Sequence, residues 1–178
     1  MTLREKMLGD AVAIARSNAV AVARSWLKTP YVLGGRLKGC GCDCATLLAE
    51  YLIEIGAAAA ADLDDLGYYS HDWFCHESNE RYLLRLVRHA RVVAESVCRP
   101  GVRQALPGCL VLFRVARSRI FNHGAIVTSW PMGVHAYSDR VYESDLSKHR
   151  LTAYRELEIF DPFTAPGDAS AVDVPVSP

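Results

Sequence analysis

At 178 residues the chain is long enough for one domain with a real core. Hydrophobic residues make up 51% and charged residues 22%, as in an ordinary globular domain. The 20 Lys+Arg balance the 20 Asp+Glu, and zero net charge argues against a general nucleic-acid binder, which carries a basic surplus.

The opening, Met1-Thr2-Leu3-Arg4-Glu5-Lys6, is charged, and no apolar run ends in a small-residue cleavage site. The expectation is synthesis in the cytoplasm without a signal peptide. The run Ala11 to Ala15 is too short for membrane insertion. The six cysteines are expected as free thiols. Cys40, Cys42 and Cys44 lie too close together to bridge one another easily.

Residues 3–28 read as one or two amphipathic helices, with Leu3, Met7, Leu8, Val12, Ala15, Ala19, Ala23, Trp26 and Leu27 at steps of three and four. Asp10 and Asn18 are candidate N-caps, which predicts a break near Ser17-Asn18. Thr29-Pro30 ends this region, because proline disfavours helix in the residue before it. Residues 30–42 are glycine-rich loop.

Asp43 suits a helix N-cap and Gly56 a C-terminal stop. Between them Leu47, Leu48, Tyr51, Leu52 and Ile55 form one apolar face. The alanine run after Gly56 extends a helix, and 62–78 reads as an aromatic-bearing loop. Residues 79–97 are predicted helical, with Arg81, Arg85, Arg88 and Arg91 on one solvated face.

Strand periods follow: Cys109 to Val115, His123 to Thr128, Val134 to Tyr137, Arg140 to Glu143, and a last run from Tyr154 to Phe160. Short turns between them predict an antiparallel meander. Helices first and strands later give the α+β class. Residues 1–160 form the single predicted domain, and 161–178 a Pro/Ala/Asp-rich tail.

The chemistry centres on Cys44. A thiol attacks well only as thiolate, and a helix N-terminus favours that form through unpaired N–H groups and the helix dipole. Cys42 and Cys40 lie in the preceding loop and rank lower. The bland alternative is a buried structural thiol. A zinc reading through Cys40-x-Cys42-x-Cys44 with Cys75-His76 also ranks lower, because structural zinc sites use C-x₂₋₄-C knuckles.

His123 opens a strand and is the candidate base. His135 stands twelve residues on. A hairpin turning at Trp130 places His123 opposite Tyr137 and His135 two residues away on the same face, a diagonal within side-chain reach. The connection must count as odd, since an even one puts the rings on opposite faces. His135 could then hold the tautomer of His123, as the third member of a triad does. Asn122, Asp139 and Glu143 are weaker candidates for that role. His71, His76, His89 and His149 read as surface or loop residues.

At these positions the chain resembles the NlpC-type cell-wall endopeptidases, which are papain-like. The resemblance lies in Pro30-Tyr31-Val32-Leu33-Gly34-Gly35, Gly41-Cys42-Asp43-Cys44, Pro107-Gly108-Cys109, His123-Gly124-Ala125-Ile126-Val127 and Val134-His135-Ala136. The loop Gly39 to Cys44 and the strand series through Val141-Glu143-Ser144 are similar to the branch found in tailed phages, prophages and gene transfer agents.

The resemblance implies a papain-like fold with Cys44 as nucleophile, His123 as base and His135 as orienting residue. It implies Tyr31 beside the oxyanion or substrate, Asp43 facing the substrate's amine, and the Cys44 N–H as an oxyanion donor. No metal or organic cofactor is implied. The implied partners are the peptidoglycan stem peptide, cut between D-γ-glutamate and diaminopimelate, and phage tail proteins. Two departures stand out: Ala45-Thr46 replaces the family's Ser-Gly after the cysteine, and Cys109 replaces an aspartate. The rival readings are a catalytically silent tail component, or an amidase or acyltransferase on the same fold.

Overall fold

A computed structural model describes residues 2–63, 69–70, 75, 91–101, 104–116 and 118–163. Helix α1 covers Leu3–Ser25, β1 Arg36–Leu37, β2 Gly41–Cys42, α2 Cys44–Glu54 and α3 Ala60–Leu63. The strands β3 (Arg91–Val97), β4 (Leu110–Phe113), β5 (His123–Ser129), β6 (Met132–Tyr137), β7 (Arg140–Asp145) and β8 (Glu156–Asp161) follow. They form one sheet in the order β3-β8-β4-β5-β6-β7, antiparallel at every pairing. The architecture is the expected α+β, and β4 to β7 are the expected meander.

Helix α2 forms where its caps dictate. Asp43 accepts from the N–H groups of Ala45 and Thr46, both at 2.9 Å, which satisfies two of the orphan donors of the first turn. Thr46 returns the bond, its hydroxyl accepting from the Asp43 N–H. Gly56 takes φ 72°, the left-handed stop that glycine adopts without strain. Between the caps, Leu47, Leu48, Ala49, Tyr51 and Leu52 are all at 0% exposure, so α2 is the buried centre of the fold. It presses on β5 at Gly124, where an added Cβ would meet Leu48 Cδ1 at 2.5 Å.

Of the one-helix and two-helix alternatives, α1 is the single helix. It runs unbroken from a Thr2–Glu5 capping box, and Asn18 lies inside it. Tertiary anchors outweigh the local capping propensity. Arg16 is held by Asp161 at 2.6 Å, Ala19 and Ala23 are buried, and Trp26 Nε1 donates to Glu54 at 2.8 Å. The apolar periodicity of the first turns does not mark a buried face, since Leu3, Met7 and Leu8 are exposed. The alanine run gives only the short α3, because Gly56 has already turned the chain.

The predicted helix over 79–97 is also corrected at its end. Arg91–Val97 is the edge strand β3, paired along β8 from Arg91↔Asp161 to Val97↔Glu156. A long-range partner supplies hydrogen bonds for a valine-bearing segment that local periodicity assigned to helix. The rest of that prediction, with Arg81, Arg85 and Arg88, lies outside the described residues, as do most of the aromatic loop and residues 164–178 of the predicted tail. Among the described residues no helix is long and apolar enough to cross a membrane.

Candidate active site

The β5–β6 hairpin sets the site's geometry. Ile126 pairs with Val134 and Val127 with Gly133, a register that places His123 opposite Tyr137 when extended. The turn itself, Trp130-Pro131 between Ser129 and Met132, is even. A register shift between Val127 and Ser129 adds the residue that makes the connection odd. The two histidines therefore share a face, and His123 Nε2 lies 3.0 Å from His135 Nδ1.

The same diagonal recurs one strand on. In the β6–β7 hairpin His135 pairs with Tyr142, and Ser144 follows two residues later on the same face. Ser144 Oγ lies 2.8 Å from His135 Nε2. The sequence reading missed Ser144, although the tight Ser138-Asp139 turn fixes this register as firmly as the first. The three alternative orienting residues are engaged elsewhere. Asn122 bonds the Val115 backbone, Asp139 holds Arg140 and Tyr142, and Glu143 binds Arg24 and Thr128.

Cys44 is the first residue of α2 and lies in a cleft of about 280 Å³ that Tyr31, Asp43, Tyr69, His123 and Tyr137 also line. Backbone N–H groups of Gly124, Cys44 and Ala45 point at its sulfur. Cys44 and His123 line the same cleft. Burial, reinforced by the Asp43 charge, pushes the Cys44 thiol up to about 12, and those three donors oppose it. This corrects the expectation of a thiolate favoured by the helix start alone. Burial also holds His123 well below the ordinary histidine range, and His135 at about 4, with His149 adding to both shifts. Each charge is disfavoured alone.

The expected consequence is a broad pH profile. His123 is a base only when neutral, and its depressed pKa keeps it neutral as pH falls. Any rate that uses His123 as a base is expected to stay level from about pH 6 to about pH 9, with the acid limb below the unperturbed histidine value. An acid limb centred near pH 7 would contradict this electrostatic account.

The other predicted residues fall as follows. Tyr31 is half-buried at the cleft, its hydroxyl pKa raised by burial and by the neighbouring Cys44. Asp43 directly precedes Cys44 but is 1% exposed, and its carboxylate is engaged on both oxygens. Oδ1 caps α2, while Oδ2 accepts from Gly34 N–H at 2.7 Å and from the Tyr69 hydroxyl at 2.5 Å. Tyr69 belongs to the aromatic-bearing loop, whose tyrosines and tryptophans over 68–74 read as packing residues before groove-lining ones; it lines the cleft. His149, read as a loop residue, does sit in the β7–β8 connection, and its ring stands edge-on to His135 at 4.9 Å.

Cys40 is exposed, Cys42 buried and Cys44 in the cleft, three different environments, and His76 lies outside the described residues. Among the described residues no group of three or more His, Cys, Asp or Glu is placed to hold a metal ion. Cys109 is buried with its sulfur 3.8 Å from Arg16, and Asp161 supplies the carboxylate that pairs with this arginine.

Two solved structures share this arrangement of elements. NlpC2 from Trichomonas vaginalis matches with a TM-score of 0.53 at 12% identity, over 80% of this chain and 45% of that one. NlpC1 from the same organism matches with a TM-score of 0.51 at 15% identity, over 79% of this chain and 42% of that one. The chain has their fold. It spans less than half the length of either protein. The NlpC/p60 domain of peptidoglycan hydrolase SagA also aligns, at 18% identity and a TM-score of 0.48, over 80% of this chain and 97% of that one. No protein-family model and no curated protein sequence matches the chain.

Proposed function

We propose that the protein is a cysteine peptidase that hydrolyses an amide bond in peptidoglycan stem peptides, between D-γ-glutamate and diaminopimelate. The observation that carries this reading is the hydrogen-bonded series His123–His135–Ser144 leading to a cleft-lining cysteine at a helix start. The sequence resemblance supports peptidoglycan as substrate, and a phage tail, prophage or gene transfer agent as the setting, with tail proteins as partners.

The series has a direction. His123 must accept the thiol proton at Nδ1, so its Nε2–H donates to His135 Nδ1. His135 then carries hydrogen on Nε2 and donates it to Ser144 Oγ. Cys44 Sγ attacks the amide carbonyl as His123 takes the thiol proton. The N–H groups around the sulfur mark where the oxyanion is stabilised. His123 gives the proton to the leaving amine, the C–N bond breaks, and a thioester remains. Water, deprotonated by His123, then releases the acid and restores the thiol.

Incubation with L-Ala-γ-D-Glu-diaminopimelate is expected to release free diaminopimelate. No release would favour a structural tail component. Ser144→Ala is expected to lower kcat about tenfold with KM unchanged, since one buried hydrogen bond orients the relay. Ser144→Thr should restore most of the rate. Equal kcat in Ser144→Ala and the wild type would remove the serine from the relay.

A further inference from the structure

The charges of the cleft are unevenly committed. Among its described lining residues Asp43 is the only carboxylate, and N–H or O–H donors of Gly34, Ala45, Thr46 and Tyr69 already occupy its two oxygens. Among the described lining residues no other carboxylate stands ready for a substrate's amine. The available charge is positive and stands at Tyr137. That tyrosine lines the cleft with its ring 6.4 Å from the His123 ring. Arg150, exposed in the β7–β8 connection, donates from Nη2 to the Tyr137 hydroxyl at 3.0 Å. Its guanidinium lies 5.9 Å from the centroid of the same ring.

Carboxylates on either side of Arg150 in sequence are engaged with other partners. Asp145 is held by Ser147 and Lys148, Glu156 by Arg114, Glu143 by Arg24 and Thr128, and Asp139 by Arg140 and Tyr142. A guanidinium carries five N–H donors in a planar fork, and Tyr137 takes one. The rest fit a carboxylate, which such a fork binds with two parallel hydrogen bonds.

We propose that Arg150, steadied by Tyr137, is a carboxylate-binding subsite that takes the free α-carboxylate of a γ-linked glutamyl residue on the acyl side of the scissile bond. The inference rests on the function proposed for this cleft. A γ-linkage leaves the α-carboxylate free a few bonds from the reacting carbonyl, whereas an α-linkage consumes it. An α-linked glutamate keeps its γ-carboxylate at the same bond separation, so the charge contact selects a glutamyl residue over an uncharged one rather than the linkage. Amidation of that carboxylate keeps its shape and removes its charge.

The test compares two peptides, L-Ala-γ-D-Glu-diaminopimelate and the same peptide with the glutamyl α-carboxylate as carboxamide. The wild type is expected to favour the acid in kcat/KM by about tenfold or more, the scale of one charge-assisted contact. Arg150→Met should bring the ratio close to one, and Arg150→Lys should keep part of it. A ratio taken within one protein cancels any general loss of activity. Equal rates on both peptides in the wild type would overturn the subsite without any variant, as would an unchanged ratio in Arg150→Met. No turnover of either peptide by the wild type would instead remove the proposed function, and the subsite with it.

Discussion

His135→Ala is expected to reduce kcat on a stem peptide by roughly 10²- to 10⁴-fold, the range that follows when a triad's base loses its orienting partner. His135 is at 0% exposure and uses both ring nitrogens, one toward His123 and one toward Ser144. Without it, His123 Nε2 has no acceptor and the ring has no reason to keep Nδ1 free for the thiol proton. His135→Gln keeps a side-chain acceptor and should retain more rate than alanine. Circular dichroism separates lost chemistry from lost folding, because the alanine variant also leaves a cavity in the sheet. Folded His135→Ala with a rate within a few-fold of the wild type would show that the histidine pair is structural.

Arg16→Ala is expected to destabilise the fold by about 3–5 kcal/mol, the effect of breaking a buried ion pair from one side. Arg16 and Asp161 side chains are 12% and 4% exposed and meet at 2.6 Å. Burial works against the Arg16 charge, but Asp161 and the Cys109 sulfur hold it firmly protonated. The same guanidinium donates to the Pro107 carbonyl at 3.0 Å and lies over the Phe163 ring. It thereby joins α1 to the start of β4 and the end of β8. Removing it takes the guanidinium from an Asp161 carboxylate that is 3% exposed and that also accepts from the Phe163 N–H. Replacing both partners, as Arg16→Met with Asp161→Leu, should cost much less than either single change. Urea titration reads both. A single-variant loss under about 1 kcal/mol would mean that water reaches the pair.

Much of the site was legible because its signals are local. Asp43 and Gly56 bracket α2 with the side chain and the φ that helix ends require. The twelve-residue spacing of His123 and His135, with a turn at Trp130, gave the diagonal contact before any fold was known. The parity came from a register shift rather than from turn length, which a sequence does not display. Ser144 was within reach of the same arithmetic and was passed over because a serine carries no charge signal. Other features depend on partners far along the chain. Residues 91–97 are strand because β8 pairs with them, and α1 stays whole at Asn18 because Arg16, Ala19 and Ala23 are anchored. The Cys44 thiol is set by burial, which outweighs the helix-end donors that the sequence suggested.

The central claim is that Cys44 is the nucleophile of a stem-peptide hydrolase. Mass spectrometry of purified muropeptides, after incubation with wild type and with Cys44→Ala, tests it most directly. The account predicts fragments ending at D-γ-glutamate and new diaminopimelate amines with the wild type alone. The same fragments from Cys44→Ala, or none from a folded wild type, would contradict it.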